Sequence, residues 1–529
     1  MLIRARLRRE RIQLPIWILA TALLALASSA GVQTEYETEA AREQVLALAI
    51  ATPSLLVLRG LPDGASLGAF VYFQVFTYLA IMAALMSTFF VTRNTRADEE
   101  RGALELVAAS PVRRWAPLAA TIAVGAAANV LLGMAVTLGM LAGGLPATGC
   151  LVAGLAVASV GLVFVAFGAL VAQVAPTGRA ANGITAALVG LAFMLRAIGD
   201  ATGTPRLDAL TVESAWPSWL SPIGWGQHVF AFSRPDLAPL LLALALAVVA
   251  SGLALALQSR RDLGASALRS RPGRAMGTIR TGLGLAWREQ WPSLIGWLIG
   301  AAVTGLLAGR LALAIAGAED VARSIQELMD RYMGGTGQLT DLLVAAVVGI
   351  AGILAAAAGA QAVMRARSEE ADGRAELVLA APASRTRWLL GYVLVGAVSA
   401  ASVGLVAGIA AGLSFVADDP DRVWSSIAAG VAQVPAALTF VALTALVLVL
   451  LPRLTIVVAW ALLAIAFVLG QFGGLLQLPE GARDLSPFTH TPEVPVGGAD
   501  WSVAWVLLAI TAVGIALSAV VMRRRELTV

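Results

Sequence analysis

Residues 96–114 read RADEERGALELVAASPVRR, and residues 367–385 read RSEEADGRAELVLAAPASR. At a constant offset of 271 residues, 9 of the 19 positions are identical, whereas ordinary residue usage would give roughly 2 matches by chance. Each stretch is an acidic, polar island in an otherwise apolar chain. We call them island 1 and island 2. A repeat of this kind indicates that the two halves of the chain share one architecture.

The composition is that of a membrane protein. The chain has 529 residues, of which 59% are hydrophobic and 13% are charged, whereas soluble domains carry about 25% charged residues. All 37 basic residues are arginine, so the lysine of a P-loop is missing and the chain cannot hold a Walker A site for ATP. The single cysteine, Cys150, excludes an intrachain disulfide and a cysteine-based metal site. No cluster of side chains suits hydrolysis, redox chemistry or metal binding. We therefore expect no enzyme, no resident cofactor and no nucleic-acid partner.

Twelve apolar runs approach the ~20 residues that a helix needs to cross a bilayer. The sequence therefore predicts an all-α polytopic membrane protein with a first six-span unit at 1–257, an Arg-rich cytoplasmic linker at 258–282 and a second six-span unit at 283–529. Because six is even, both halves enter the membrane in the same sense and form a parallel repeat. The first run imitates a signal peptide, but the eleven runs after it favour an uncleaved span. The predicted spans are 14–32, 67–91, 116–142, 148–174, 180–199, 237–257, 293–316, 341–363, 388–415, 425–451, 454–476 and 503–522.

Arginine is distributed unevenly among the segments outside the spans. The N-terminus, the alternate loops, the linker and the C-terminal tail hold 27 of the 37 arginines. Because basic loops stay in the cytoplasm, we expect both termini and both islands to be cytoplasmic, in a multi-pass protein of the bacterial plasma membrane. Each island then lies between the second and third spans of its unit.

The pattern within each island predicts a short helix. Acidic residues come early, at 98–100, and Arg113 and Arg114 come late, as the helix dipole favours. Pro111 then ends the element, and Pro382 does the same in island 2. A juxtamembrane helix without a partner is the simpler interpretation, but it does not explain why one polar pattern occurs twice.

Each half also carries a polar segment before its last span. Both segments contain Leu-Ser-Pro, at 220–222 and 485–487. The apolar stretch 216–232 is too short to span a bilayer, so it predicts a short helix or a re-entrant element at the outer surface. The two histidines, His228 and His490, lie in these segments, where a structural role is the simpler interpretation.

The islands carry a resemblance to a known family. The pattern E-x-x-G-x-x-E-L-x-x-x-x-P-x-x-R between the second and third spans resembles the permeases of ABC exporters of the drug and polysaccharide type, which have the type V exporter fold. The double length is similar to the fused permeases of tetronasin-type antibiotic export. The resemblance implies an amphipathic connecting helix at the start of each unit, for which Leu2–Leu14 and Leu283–Ser293 are candidates. It also implies a cytoplasmic coupling helix in each island.

The resemblance implies a partner and a mechanism. Two copies of a separate ABC ATPase subunit, identical or different, would bind ATP and Mg²⁺ and each receive one coupling helix. Their closure would drive hydrophobic or amphipathic drugs, antibiotics or lipid-like compounds out of the cell. The residues implied in ATPase coupling are Glu99, Glu100, Gly102, Glu105, Pro111, Arg113, Arg114, Glu369, Glu370, Gly373, Glu376, Pro382 and Arg385.

Few polar residues lie within the spans. Arg310, Arg196, Asn129 and Gln361 are candidates for a substrate path, since intramembrane ionisable groups often mark one; hydrogen bonding between helices is the alternative for the amides. A major-facilitator-type secondary transporter also has six plus six spans, but it usually carries mid-membrane charges for ion coupling. A scaffold or a lipid-metabolising enzyme is a further alternative, and the enzyme would need a polar catalytic set.

Overall fold

The computed structural model describes residues 2–51, 53–109, 111–206, 209–261, 279, 281–317, 339–380, 384–416, 419–472, 479–492, 494 and 501–525. The chain divides into two compact units, Met1–Pro272 and Gly273–Val529. The described residues include twelve helices that are long and apolar enough to cross a membrane, which confirms the predicted all-α polytopic fold. The parallel arrangement of the two halves stays a prediction, and most of the predicted linker lies outside the described residues.

Unit 1 holds six spans, α2, α5, α8, α9, α10 and α12, with short elements between them. Its helices are α1 (Leu2–Arg9), α2 (Gln13–Glu35), α3 (Glu39–Ala51), α4 (Pro53–Arg59), α5 (Leu67–Arg93), α6 (Arg96–Glu100), α7 (Ala103–Ala108), α8 (Ala116–Ala142), α9 (Ala147–Val174), α10 (Gly178–Ala201), α11 (Pro222–Gln227) and α12 (Ala238–Arg260). Two short strands, β1 (Thr204–Arg206) and β2 (Thr211–Glu213), pair antiparallel with Thr204 opposite Glu213. A 3₁₀ helix covers Trp216–Leu220.

Unit 2 holds the other six spans. Its helices are α13 (Gly282–Gly317), α14 (Leu339–Ala371), α15 (Arg374–Leu379), α16 (Arg385–Leu413), α17 (Pro420–Ala432), α18 (Val434–Leu450), α19 (Thr455–Phe472), α20 (Glu480–Arg483) and α21 (Ser502–Arg524), with 3₁₀ helices at Pro452–Leu454 and Pro487–His490. The fourth span of this unit consists of α17 and α18 together.

The expected connecting helices differ between the units. In unit 1 the short helix α1 is separated from the first span by a turn at residues 10–12. In unit 2 the candidate Leu283–Ser293 is continuous with the first span, because α13 runs on through Pro292 without a break. Both candidate stretches are thus largely helical, and their role as connecting helices stays a prediction.

The core of unit 1 forms around its second and fourth spans. The second span, α5, is rich in phenylalanine, and Phe70, Phe76 and Phe90 are almost fully buried. The fourth span, α9, packs against α5, α8 and α12. The first, fifth and sixth spans instead leave most of their apolar surface uncovered. A helix that is apolar on all sides and uncovered by protein is typical of a membrane span in contact with lipid.

The repeated Leu-Ser-Pro motif has the same structural role in both units. The Oγ atom of Ser221 accepts from backbone N–H groups at the start of α11 and donates to the carbonyl of Ala192 in the fifth span at 2.6 Å. Ser486 accepts from the N–H of Phe488 and donates to Ala466, also in the fifth span of its unit, at 2.8 Å. Each serine therefore caps a short helix and fixes it to the fifth span. The helix predicted within 216–232 is confirmed.

Candidate docking site: the two islands

Each island is divided by a glycine in the left-handed region. Gly102 has φ 72° and ψ 2°, and the aligned Gly373 has φ 71° and ψ 2°. The N–H of each donates to the carbonyl three residues earlier, Glu99 or Glu370, at 3.1 Å. A left-handed glycine of this kind ends a helix. The sequence predicted one short helix that begins at the acidic residues. The structure instead places these acids before the glycine, in α6 directly after the second span of unit 1 and in the last turns of the second span of unit 2, and starts the short helix after the glycine.

The half of island 1 before Gly102 is held by ion pairs. Glu99 accepts from Arg96 at 2.7 Å, and its side chain is only 6% exposed. Arg261, the residue that follows the sixth span, donates to both oxygens of Glu99 at 2.7 and 2.8 Å. Arg96 also donates to the carbonyl of Pro176, just beyond the fourth span, at 2.8 Å. A buried carboxylate is stable only when it is paired in this way.

Island 2 repeats the arrangement with residues of its own unit. Glu370, with a side chain 2% exposed, lies 3.4 Å from Arg367. Arg525, again the residue that follows the sixth span, pairs with Glu370 at 2.5 Å. Arg525 also donates to the carbonyl of Leu448 in the fourth span at 3.1 Å. Arg385 donates to the backbone carbonyl of Arg525 at 2.6 Å, which fixes the start of the third span to the same point.

The acidic residue just before this glutamate, Asp98 in island 1 and Glu369 in island 2, has different ion-pair partners in the two islands. Asp98 pairs with Arg9, the last residue of the N-terminal helix α1. The aligned Glu369 pairs with Arg374 of its own island at 2.8 Å and with Arg365 at 2.7 Å. The hydrogen bond from Arg374 to Glu369 raises the pKa of this guanidinium above its usual value, so both groups remain charged.

The half of each island after the glycine faces outward. Glu105 and Glu376, at aligned positions, are exposed, and Leu377 in α15 is 78% exposed. Of the other residues predicted from the sequence, those after the glycine that are exposed are Pro111, Arg113, Arg114 and Arg385; Glu100, just before Gly102, is exposed as well. The guanidinium of Arg113 lies 6.0 Å from the ring of Trp115. Pro382 lies outside the described residues. The outward half thus offers carboxylates, guanidinium groups and an apolar side chain to a partner.

The four candidates for a substrate path are divided between the units, two in each. Arg196 and Asn129 are fully buried in unit 1. Arg196 pairs with Asp200 at 3.3 Å and donates to the carbonyl of Val57 at 2.7 Å. Asn129 donates to Ser87 of the second span at 2.9 Å. Their geometry is that of groups that hold helices together.

The other two candidates belong to unit 2 and are exposed. The Oε1 atom of Gln361 accepts from Trp297 at 2.7 Å and from Ser293 at 3.0 Å. Arg310 lies next to Gly309, which approaches Ser414 beyond the end of the third span, so Arg310 is at an end of the helix bundle and not at its middle. Contact of all four residues with a substrate stays a prediction.

A second polar feature lies at the end of unit 1 opposite island 1. A cavity of about 600 Å³ is lined by Asp63, Glu213, Trp219, His228, Phe230 and Arg234. The Nδ1–H of His228 donates to the carbonyl of Gly224 at 2.6 Å, so Nε2 is the acceptor for Ser214 at 2.7 Å. The ring stacks on Trp219 with centroids 4.3 Å apart. Burial lowers the pKa of His228, which keeps the ring neutral and favours the structural role.

The sequence did not single out Arg261 and Arg525. Both are the first residue after a long apolar helix and end in extended backbone, with φ −90° and ψ 139° for Arg261 and φ −79° and ψ 135° for Arg525. They are separated by 264 residues and the islands by 271, so an alignment of the islands at constant offset does not pair them. The available signal was that each sixth span ends in consecutive arginines.

Comparison with known proteins gives two findings. Residues 279–523 match the family described as "Multidrug efflux system permease Rv1217c, C-terminal domain". The chain is similar to "Multidrug efflux system permease protein Rv1217c" of Mycobacterium tuberculosis, with 35% identity over 536 aligned positions that cover 99% of this chain and 94% of the relative. The similarity therefore extends over both units and both islands.

Proposed function

The chain belongs to the family of multidrug efflux system permeases, and we propose that it is the transmembrane permease subunit of an ATP-driven ABC exporter. In this proposal the chain does not hydrolyse ATP. Two copies of a separate ABC ATPase subunit, which bind ATP and Mg²⁺, dock on islands 1 and 2 at the cytoplasmic face. The cargo is a hydrophobic or amphipathic drug, antibiotic or lipid-like compound.

The observation that carries the proposal is the division of each island into a buried half and an exposed half. The buried carboxylates, Glu99 and Glu370, are 6% and 2% exposed, and each forms ion pairs with two arginines of its own unit. The exposed half begins at a glycine with the same left-handed backbone in both units. A rigidly held element that projects charge and an apolar side chain beyond the spans is suited to receive a protein surface.

The exposed leucine strengthens this interpretation. Leu377 is 78% exposed and follows the second span of unit 2, outside the apolar run. Burial of a leucine side chain contributes about 1.5–3 kcal/mol. An ATPase groove that covers this face would obtain that free energy, together with contacts to the neighbouring carboxylate of Glu376.

The mechanism follows from the way in which the islands are held. When the ATPases bind ATP and close, they displace the exposed halves of the islands. Because each buried half continues from the second span and the third span starts directly after the island, the displacement reaches both spans. The sequence places few ionisable residues within the predicted spans, Arg196 and Arg310 among them, which suits a cargo that partitions into lipid.

The test is complex formation with the ATPase encoded beside this chain. Glu105→Arg and Glu376→Arg reverse exposed charges at aligned positions without touching the buried pairs. We expect the double variant to lose most of the complex in a pull-down from nanodiscs, and with it the stimulation of ATP hydrolysis. Glu43→Arg and Glu480→Arg are matched controls, since both residues are exposed and lie outside the islands.

Two results would count against the proposal. If the double variant bound the ATPase as wild type does, the islands would not be the docking site. If the purified chain moved a hydrophobic dye down a proton gradient without any ATPase, the major-facilitator-type interpretation would replace the ABC exporter.

A further inference from the structure

Each island is joined to three spans of its own unit at a single point. In unit 1 the group consists of Arg96, Glu99 and Arg261, and in unit 2 it consists of Arg367, Glu370 and Arg525. Each group links the end of the second span to the residue after the sixth span. An arginine in each group also donates to a backbone carbonyl at the end of the fourth span. We call each group a clasp.

The two clasps reach this arrangement through different donors. In unit 1 the fourth span is contacted by Arg96, which belongs to the island, through the carbonyl of Pro176. In unit 2 it is contacted by Arg525, which follows the sixth span, through the carbonyl of Leu448. The same three spans are joined although the residue that joins them differs. The recurrence of the junction by two chemical routes argues for a function of the junction itself.

The packing of the sixth span makes the clasp mechanically significant. In unit 1, α12 packs mainly against the fourth span, α9. In unit 2, α21 likewise packs mainly against α18 of the fourth span, with a smaller contact to α16. The fourth and sixth spans of each unit therefore form a pair, and the clasp connects that pair to the island.

We infer that Arg261 and Arg525 are positioning residues that make the fourth and sixth spans follow the island, so that the ATPase stroke moves spans two, four and six of each unit together. This inference rests on the proposed function for the origin of the stroke. The clasp itself is a property of this chain alone. A guanidinium is suited to it because its planar, multiple donors can contact a carboxylate and a carbonyl at once, which a lysine ammonium cannot do as rigidly.

The first measurement needs no ATPase. Spin labels at Ala103→Cys in island 1 and Ser259→Cys near the end of the sixth span report their separation in full-length protein; both sites are exposed, and Cys150→Ala removes the chain's single cysteine. We expect a narrow distance distribution that broadens at least twofold in Arg261→Gln. Arg206→Gln is the matched control, because Arg206 pairs with Glu213 at a similar distance, 2.6 Å, but on the exposed hairpin of unit 1.

The second measurement uses the complex with the ATPase and the amphipathic dye ethidium as probe. We expect Arg261→Gln and Arg525→Gln to bind the ATPase within twofold of wild type, since the exposed halves are unchanged. The dye exported per ATP hydrolysed should fall at least tenfold. Arg261→Lys should restore folding but only part of the export ratio, which a merely structural role would not predict.

Arg261→Lys keeps the test valid if Arg261→Gln does not fold, because it retains a positive charge opposite Glu99 without the planar fork of donors. Failure of the inference and failure of the proposed function give different results. Unchanged distance distributions together with an unchanged export ratio in the clasp variants would overturn the inference. Absence of ATPase binding to the wild type would overturn the proposed function, while broadened distances in Arg261→Gln would still support the clasp.

Discussion

The left-handed glycines give the most direct prediction about the islands. Gly102 and Gly373 both adopt φ near 70°, where an L-residue costs roughly 1–2 kcal/mol. A Cβ atom has room at both sites, since it would meet only Glu105 at 3.9 Å at Gly102 and nothing within 4 Å at Gly373. The cost of Gly→Ala is therefore conformational and not steric. At about 1.4 kcal/mol per factor of ten, we expect the competent backbone to become about 5- to 30-fold less favoured.

This change should appear as weaker docking and not as unfolding. Surface-immobilised nanodiscs with Gly102→Ala or Gly373→Ala should bind the ATPase about 5- to 30-fold more weakly, with unchanged helix content. Gly102→Asn and Gly373→Asn should bind better than the alanine variants, because asparagine tolerates the left-handed region.

Gly183 and Gly300 are matched controls. Both lie within spans, have ordinary helical backbone and would meet nothing within 4 Å as alanine. Alanine there should be neutral or slightly stabilising, since glycine is the weaker helix former. The reasoning that the left-handed turn sets the orientation of the exposed half would be refuted by either of two results. One is equal ATPase affinity of the alanine and asparagine variants, and the other is wild-type ATPase affinity of Gly102→Ala.

Two further predictions address the exposed leucine and the buried histidine. Leu377→Ala removes three carbon groups worth ~0.8 kcal/mol each when buried, so ATPase affinity should fall about 50-fold. Leu485→Ala, at a leucine 75% exposed outside the islands, should leave the affinity unchanged. A loss of affinity with both variants would count against a specific apolar contact. Burial lowers the pKa of His228, so on acidification the unfolded chain takes up the proton before the folded chain does. The contribution of His228 to the free energy of unfolding is therefore complete above the unfolded pKa of about 6.5. It is lost as the pH falls towards the lower pKa of the folded state. Melting curves between pH 7.5 and 5 should show His228→Gln with a flatter pH dependence than wild type, and identical slopes would show that His228 does not govern it.

The sequence alone predicted the membrane spans, because the length of an apolar run determines them. The bilayer sets the length of an apolar helix, so all twelve spans could be placed. Most predicted ends lie within three residues of the helix ends, and the largest differences are at the start of the seventh span, Gly282 and not 293, and at the end of the eighth, Ala371 and not 363. The role of Ser221 and Ser486 was accessible only as a repeated motif, because the motif does not say which carbonyl the serine contacts. The predicted short helix is present in each island, at Ala103–Ala108 and Arg374–Leu379, but its predicted start at the acidic residues was wrong. The position of the glycine was not used: a left-handed glycine ends a helix, and helix propensity does not report it.

The clasps could not be predicted because they join residues that are distant in sequence. Glu99 and Arg261 are 162 residues apart, and nothing in a run of two arginines after a span shows which carboxylate will meet them. The same limit applies to Arg196: the sequence showed a charge near a span end, and only the fold shows that Asp200 and backbone carbonyls satisfy it.

The two islands are unequal in what holds them, and this difference bears on the proposed ATPase pair. In island 1, Asp98 pairs with Arg9, the last residue of α1, so the N-terminal helix contributes to the orientation of the island. In island 2, Arg374 pairs with Glu369 and, at 2.6 Å, with Asp372. Island 2 is therefore held in part by ion pairs among its own residues.

Sequence changes between the islands explain the difference. Ala103 stands where Arg374 does and cannot form the internal pair, while Arg101 replaces Asp372 and leaves an exposed positive charge beside the turn. Since charge complementarity governs the choice of partner more than raw affinity, one ATPase groove would meet a basic rim at island 1 and a neutralised one at island 2. The two subunits of an ATPase homodimer would therefore have to bind both rims with the same groove, whereas each subunit of a heterodimer could have a groove complementary in charge to one rim. The two islands are distinguished by the charge around their glycine turns and not by the aligned glutamates.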